Sequence, residues 1–250
     1  MSSDPTFLPG VAEAHVRRRL ELAGGKEIES GKLGRPESSA ALAVNTFGWF
    51  AERPQLLPPL PGFAEIGAPT KVDVEYCARF PWRGGRHPWL DAIVETATHL
   101  IGVESKRYEP FRDRKTASLS EAYDRQVWGG SMLPFERMRD RLRSGEERFV
   151  YLDAPQLVKH AFGIVTDARR RARQPGLFYL FAEPNLLGGK PIAKDAFDAH
   201  REEVRRFAEA VAEAEVVFYA ASYREWLQAW DGADAEVANH ARRLLAVFQP

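Results

Sequence analysis

A chain of 250 residues, 44% of them hydrophobic, is long enough to bury a sizeable core as one large domain or two small ones. Its 35 basic side chains balance 35 acidic ones, so no global charge draws it to nucleic acid or to an anionic membrane, and polyanion binding has to rest on a local patch. The single cysteine, Cys77, excludes an internal disulfide framework and agrees with a reducing cytoplasm; no apolar run of about 18 residues marks a membrane span, and the first residues lack the pattern of a secretory signal.

The opening segment is polar and broken by glycines, with one short helix expected near residues 11–23, so residues 1–36 read as an N-terminal extension and 37–250 as a single domain. Ser38 and Ser39 offer N-cap oxygens ahead of an apolar run that includes Leu42, Val44, Phe47 and Phe50, which predicts a helix over 38–52. Pro54, Pro58, Pro59 and Pro61 then rule out regular structure. Three strands follow, at 71–77, 89–96 and 100–107, the last two close enough to form an antiparallel hairpin. Beyond residue 116 the pattern turns helical, with helices expected at 119–128, 133–143 and 156–173, the last opened by residues 151–155 and with a break at Gly163. Two apolar runs, 177–182 and 216–220, read as buried strands separated by a helix near 195–213, and helices near 223–230 and 233–248 close the chain. The order predicts a mixed α/β domain in which a three-strand meander is extended by parallel crossover strands and flanked by helices.

The second and third strands carry charge where a half-buried strand has little room for it. Unpaired buried ions cost several kcal/mol, so such groups pair or bind metal. Alternation places Asp91, Ile93 and Glu95 on one face and Leu90, Ala92 and Val94 on the other, while Glu104 and Lys106 share a face opposite Val103 and Ser105. Asp91 and Glu104 facing the same way form an all-oxygen pair suited to a hard cation such as Mg²⁺ (or Mn²⁺), with the Ser105 carbonyl as a further ligand and Lys106 beside it. That is the equipment of metal-dependent phosphodiester hydrolysis.

Asp91 at a strand start, a short hairpin, and Glu104-Ser105-Lys106 at the end of the next strand together resemble the PD-(D/E)XK nuclease superfamily, with its restriction-endonuclease-like fold. Residues 90–96 and 100–111 are similar to an uncharacterised bacterial group of restriction endonucleases, and the helix–three strands–helix–strand core of the superfamily maps onto residues 38–182. The sequence departs from the literal Pro-Asp dipeptide, since Trp89-Leu90 precede Asp91 and the nearest proline is Pro88. The resemblance implies a cytoplasmic, metal-dependent endonuclease with DNA as its partner and a homodimer as its assembly. It also implies an additional acidic residue near the first helix, Glu37 or Glu29, a phosphate- or metal-orienting role for Gln126, and Glu95 as a further carboxylate on the Asp91 face.

Competing readings stay open at this level. Asp91, Glu104 and Lys106 could be a structural ion-pair cluster in a catalytically silent nucleic-acid-binding or scaffold protein, or could serve a hydrolase of small phosphate esters. Arg107, Arg112, Arg114 and Lys115 follow the third strand and suit a phosphate backbone; the arginines at 137–143 and 169–173 suit either that or solvated helix faces. Trp82, Trp89 and Trp128 are base-stacking or packing residues. The six histidines show no short ligand spacing that would mark a zinc site, and Gly188-Gly189-Lys190 lacks the rest of a phosphate-binding loop.

Overall fold

The structure, a computed structural model, describes residues 6–24, 28–35, 37–113, 115 and 119–250. In chain order it runs α1 (Glu13–Leu22), α2 (Ser39–Gly48), β1 (Lys71–Cys77), β2 (Trp89–Glu95), β3 (His99–Lys106), α3 (Glu109–Arg112), α4 (Leu133–Ser144), α5 (Ala154–Arg170), β4 (Gln174–Phe181), β5 (Leu186–Leu187), β6 (Lys190–Pro191), α6 (Lys194–Ala210), β7 (Val217–Ser222), α7 (Tyr223–Gln228) and α8 (Ala235–Phe248). The central sheet is five-stranded, in the order β1-β2-β3-β4-β7. The first three strands are antiparallel, and β4 and β7 add in parallel, which is the mixed, helix-flanked sheet expected from the sequence. The β2–β3 turn closes on Thr96, whose Oγ1 accepts the backbone N–H groups of Thr98 and His99 at 3.2 and 3.0 Å.

Each face of the sheet buries its own layer. Val72, Val74, Ala92, Val94, Ile101, Val103 and Phe178 pack beneath α2, α7 and α8, joined by Val16 and Leu20 of α1 and by Phe7 and Leu33. Ile93, Leu100, Leu177 and Tyr179 pack beneath α4, α5 and α6. No helix among the described residues is long and apolar enough to cross a membrane.

Helix α5 is uninterrupted, contrary to the break expected at Gly163. A Cβ there would lie 2.7 Å from Pro88 Cγ and 2.8 Å from Ala78 Cβ, so the glycine serves close approach rather than a bend. It lets the helix settle on the segment leading into β2. The helix expected at 119–128 is only a 3₁₀ turn, Glu121–Asp124. Arginines of α4 take its carbonyls instead: Arg143 donates to Leu119 and Ser120, and Arg139 to Tyr123. Helix α2 ends at Gly48 rather than at 52, and the short α3 and the β5–β6 hairpin have no counterpart in the sequence reading.

Two buried histidines give the fold a measurable acid sensitivity. His200 Nε2 lies 3.0 Å from the Tyr179 hydroxyl, and His240 Nε2–H donates to the Asn45 carbonyl at 3.0 Å beneath the Trp49 ring. Burial, reinforced for His200 by Lys115 and Arg201, pulls His200 down to about 3; burial also pulls His240 down to about 4, against the ordinary 6.5. A histidine depressed in the fold is neutral there, so below pH 6.5 only the unfolded chain takes up the proton, and stability falls as pH falls. Each should cost about 1.4 kcal/mol at about pH 5.5 relative to neutrality. Urea unfolding across that window tests this, and His200→Gln should remove the His200 share of the dependence; an unchanged slope would contradict it.

Candidate active site

The site forms where β2 and β3 part. Ala92↔Val103 is the last ladder pair toward the β2 N-terminus, which leaves Asp91 and Glu104 opposite each other just beyond it. The Ser105 N–H is not bonded to the β2 backbone; it donates at 2.7 Å to Oδ2 of Asp91, so the side chain occupies the gap. Lys106 directs its carbonyl to the Ala182 N–H after β4 at 2.8 Å. By alternation along β3, the Ser105 carbonyl is aimed the other way, toward the gap that holds Asp91. On the opposite face, Ser105 Oγ lies 2.7 Å from the Tyr223 hydroxyl, which pins the end of the strand from α7.

Glu104 is 1% exposed, and both of its oxygens are engaged: Lys106 Nζ donates to Oε1, and Nδ1 of His160, from α5, lies 3.1 Å from Oε2. Burial alone would raise the Glu104 carboxyl, but Lys106 and His160 outweigh it and hold the group down to about 2. Burial likewise works against the Lys106 ammonium, yet Glu104 and Asp91 raise it above its ordinary value. Asp91 goes the other way. Burial, then the neighbouring Glu104 charge, lift its carboxyl well above the usual range, and Lys106 and the Ser105 N–H only partly oppose them. The buried Glu104 and the half-buried Asp91 thus share one ammonium, and Asp91 is left the under-compensated member.

That imbalance fits a cation. The donors that converge on the gap are hard oxygens, two carboxylates and the Ser105 carbonyl. Among the described residues no group of three or more His, Cys, Asp or Glu side chains forms a metal cage, so an ion here would keep water or substrate oxygens as its remaining ligands, as Mg²⁺ does.

Alternation breaks at Asp91, which corrects the sequence reading of β2. Ala92 and Val94 pack toward α2, but Leu90 packs with Ile93 on the α5 side, its Cδ1 over Gly102. Across from it, β1 shows the same shift: Val74 pairs with Ala92 and Tyr76 with Leu90, while Glu75 and Asp91 form no ladder pair. Glu75 holds φ +49°, with Arg19 donating to its carbonyl and to that of Val74. A left-handed glutamate costs on the order of 1 kcal/mol and is worth attention wherever it sits beside polar chemistry. Its charge adds to those that raise Asp91.

The remaining candidates lie elsewhere. Glu95, at the far end of β2, pairs with Arg171 at 2.9 Å. Glu29 and Glu37 are exposed; Glu37 precedes the α2 cap and acts electrostatically on Arg107 and Arg112. Gln126 is exposed and donates to the Asp124 carbonyl within its own turn. Arg107 is buried and donates to the Phe248 carbonyl, Arg112 forms a two-pronged pair with Asp113, Lys115 donates to the Glu109 carbonyl, and Arg114 lies outside the described residues. Most of the other arginine clusters are tied down as well: Arg139 to Asp140, Arg141 to Glu147, Arg143 to Asp124, Arg169 to Glu215 and Arg170 to Asp167. Of the three tryptophans, Trp128 is core, Trp82 stacks on Phe80, and Trp89 stands exposed.

His160 and Glu75 were not singled out by the sequence. His160 had no local motif, because its partner lies across the fold, and the strain at Glu75 is a backbone property that a strand pattern does not reveal.

No curated protein and no solved structure matches the chain significantly. The family model described as restriction endonuclease associating with ARP matches residues 6–245, from ahead of α1 into α8, and the chain therefore belongs to that restriction-endonuclease-like family.

Proposed function

We propose that the protein is a divalent-metal-dependent nuclease that hydrolyses phosphodiester bonds, with DNA as its substrate. The observation that carries this reading is the convergence of Asp91, Glu104 and Lys106 at the parted ends of β2 and β3, with one carboxylate left under-compensated. Asp91, Glu104 and the Ser105 carbonyl would hold Mg²⁺ or Mn²⁺. When bound, such an ion supplies Lewis-acid stabilisation of phosphoryl oxygens and a more acidic water. The protein's own groups do the rest. The Ser105 N–H orients Asp91, and His160 steadies Glu104 from α5. Lys106, beside both carboxylates, would place an ammonium where negative charge grows on phosphorus, or orient the attacking water.

One observation favours a second reading. Both Glu104 oxygens are already engaged by Lys106 and His160, so the cluster also works as a closed structural knot, and a silent nucleic-acid-binding or scaffold protein would keep it that way. Incubation of purified protein with linear, supercoiled and single-stranded DNA and with RNA, in Mg²⁺ or EDTA, separates the two. The nuclease reading expects cleavage that needs the metal and is lost in Lys106→Ala and Asp91→Ala. Cleavage surviving EDTA or both variants would sink it, and binding without cleavage would favour the silent module.

A further inference from the structure

An open cleft of about 510 Å³ is lined in part by His160, whose Nδ1 lies 3.1 Å from Glu104 Oε2, and so connects to the triad. Its lining also includes Trp89, the first residue of β2, 37% exposed and on the same strand as Asp91. The start of α5 contributes the half-buried Asp153, Gln156 and Lys159, and Arg86 completes the charged lining.

We infer that this cleft is a subsite for one unstacked nucleotide next to the scissile phosphate, so that the protein takes single-stranded or unpaired DNA at that position. The inference rests on the nuclease reading and deepens it. Three features of the cleft point to a nucleotide. First, its cations are uncommitted. Arg107, Arg112 and Lys115, the basic residues that follow β3, all have protein partners, whereas Arg86 and Lys159 form no ion pair or hydrogen bond among the described residues. Burial pulls the Lys159 ammonium down and Asp153 opposes this, the condition of a cation short of anionic company. Second, the exposed indole offers a face on which any base can stack. Third, a bare phosphate has no use for Asp153 and Gln156, but the edge of a base has both donors and acceptors for them to meet. Asp153 Oδ1 already accepts the Gln156 N–H at 3.0 Å as the helix cap, which fixes the carboxylate and leaves its second oxygen as a further acceptor. The volume lies within the range of small-ligand clefts and is far below what a duplex occupies, so a base reaches Trp89 only when it is out of its stack.

The test is binding of a short labelled single-stranded oligodeoxynucleotide, and of its duplex, to the full chain in EDTA, followed by cleavage kinetics in Mg²⁺. Wild type should prefer the single strand. Trp89→Ala should weaken single-strand binding by about 5- to 100-fold and duplex binding far less, and Trp89→Phe should restore most of the loss. Lys159→Gln should reduce the slope of log affinity against log salt by about one counterion. In cleavage, the Trp89→Ala defect should fall on KM more than on kcat. If wild type cleaves DNA while all three variants bind the single strand as wild type does, the subsite is wrong and the nuclease reading stands. If wild type cleaves nothing but binds single strands in a Trp89-dependent way, the subsite stands and the nuclease reading falls.

Discussion

Lys106→Ala is expected to lower metal-dependent cleavage by about 10²–10³-fold, the usual cost of removing a preorganised charge from a water-poor active site. It should also lower stability more than any exposed lysine would. In the folded protein this ammonium is the counter-charge shared by Glu104 and Asp91, and Glu104 is 1% exposed. Its removal leaves the buried Glu104 and the half-buried Asp91 without that ammonium, and His160 lies 3.1 Å from Glu104. Breaking a buried pair in this way costs about 3–5 kcal/mol, and about 2–4 °C of Tm accompanies each kcal/mol in a chain of this size. The metal then supplies a control that needs no activity assay. A bound divalent cation stabilises by mass action in both proteins, but in Lys106→Ala it is the main source of positive charge for the carboxylate pair, so its Tm increment should be larger than in wild type. Lys106→Met, which keeps the aliphatic stem, separates lost packing from lost charge. A variant that cleaves at the wild-type rate, or whose Tm responds less to Mg²⁺ than wild type does, would contradict the placement of Lys106 beside a metal site.

The parts of this molecule that were legible in the sequence are those written locally. The strand β1 is bounded by residues 71 and 77 in both readings, because alternation and β-branched residues are properties of consecutive positions. Asp91, Glu104 and Lys106 were legible for the same reason: charge in an apolar strand is conspicuous without any knowledge of the fold. What failed was whatever depended on a distant partner. The 119–128 segment has a helical pattern, yet its carbonyls are claimed by Arg139 and Arg143 from the next helix. Strict alternation misplaced Leu90, because Glu75 and Asp91 interrupt β1 and β2 at the same level and shift the side-chain phase of both strands. His160 reads as one core histidine among six until α5 is set down on β3, and it is Gly163, by admitting Ala78 and Pro88, that lets the helix come so close. The broken alternation at Leu90 falls at the site itself, where function and regular structure place competing demands on the same backbone.

Asp91→Asn should move stability the opposite way and still abolish cleavage. Its carboxylate is the member of the cluster that the protein does not fully compensate: burial and Glu104 raise it well above the ordinary range, and Glu75 adds to them. The single hydrogen bond made to it by the described residues is the Ser105 N–H to Oδ2, which an asparagine carbonyl oxygen accepts equally well. The substitution therefore keeps the geometry at the parting of β2 and β3 and removes a buried like-charge repulsion. Lys106 is then left in a one-to-one pair with Glu104. A gain on the order of 1–2 kcal/mol, roughly 2–8 °C in Tm, is expected in metal-free buffer. The gain should grow with pH from mildly acidic to neutral conditions, because a carboxyl whose folded pKa is raised is protonated and harmless at low pH and becomes destabilising as it ionises. In Mg²⁺ the order should reverse or close, since wild type gains the stabilisation of a bound cation and Asp91→Asn does not. Thermal unfolding of the two proteins with and without Mg²⁺ reads all of this in one experiment. An Asp91→Asn protein that is less stable than wild type without metal, or that keeps the full Mg²⁺ increment, would show that Asp91 belongs to a structural ion-pair cluster. A more stable protein that has lost both the increment and the cleavage would show that stability has been given up at this position for metal binding, as expected of a site built for chemistry rather than for the fold.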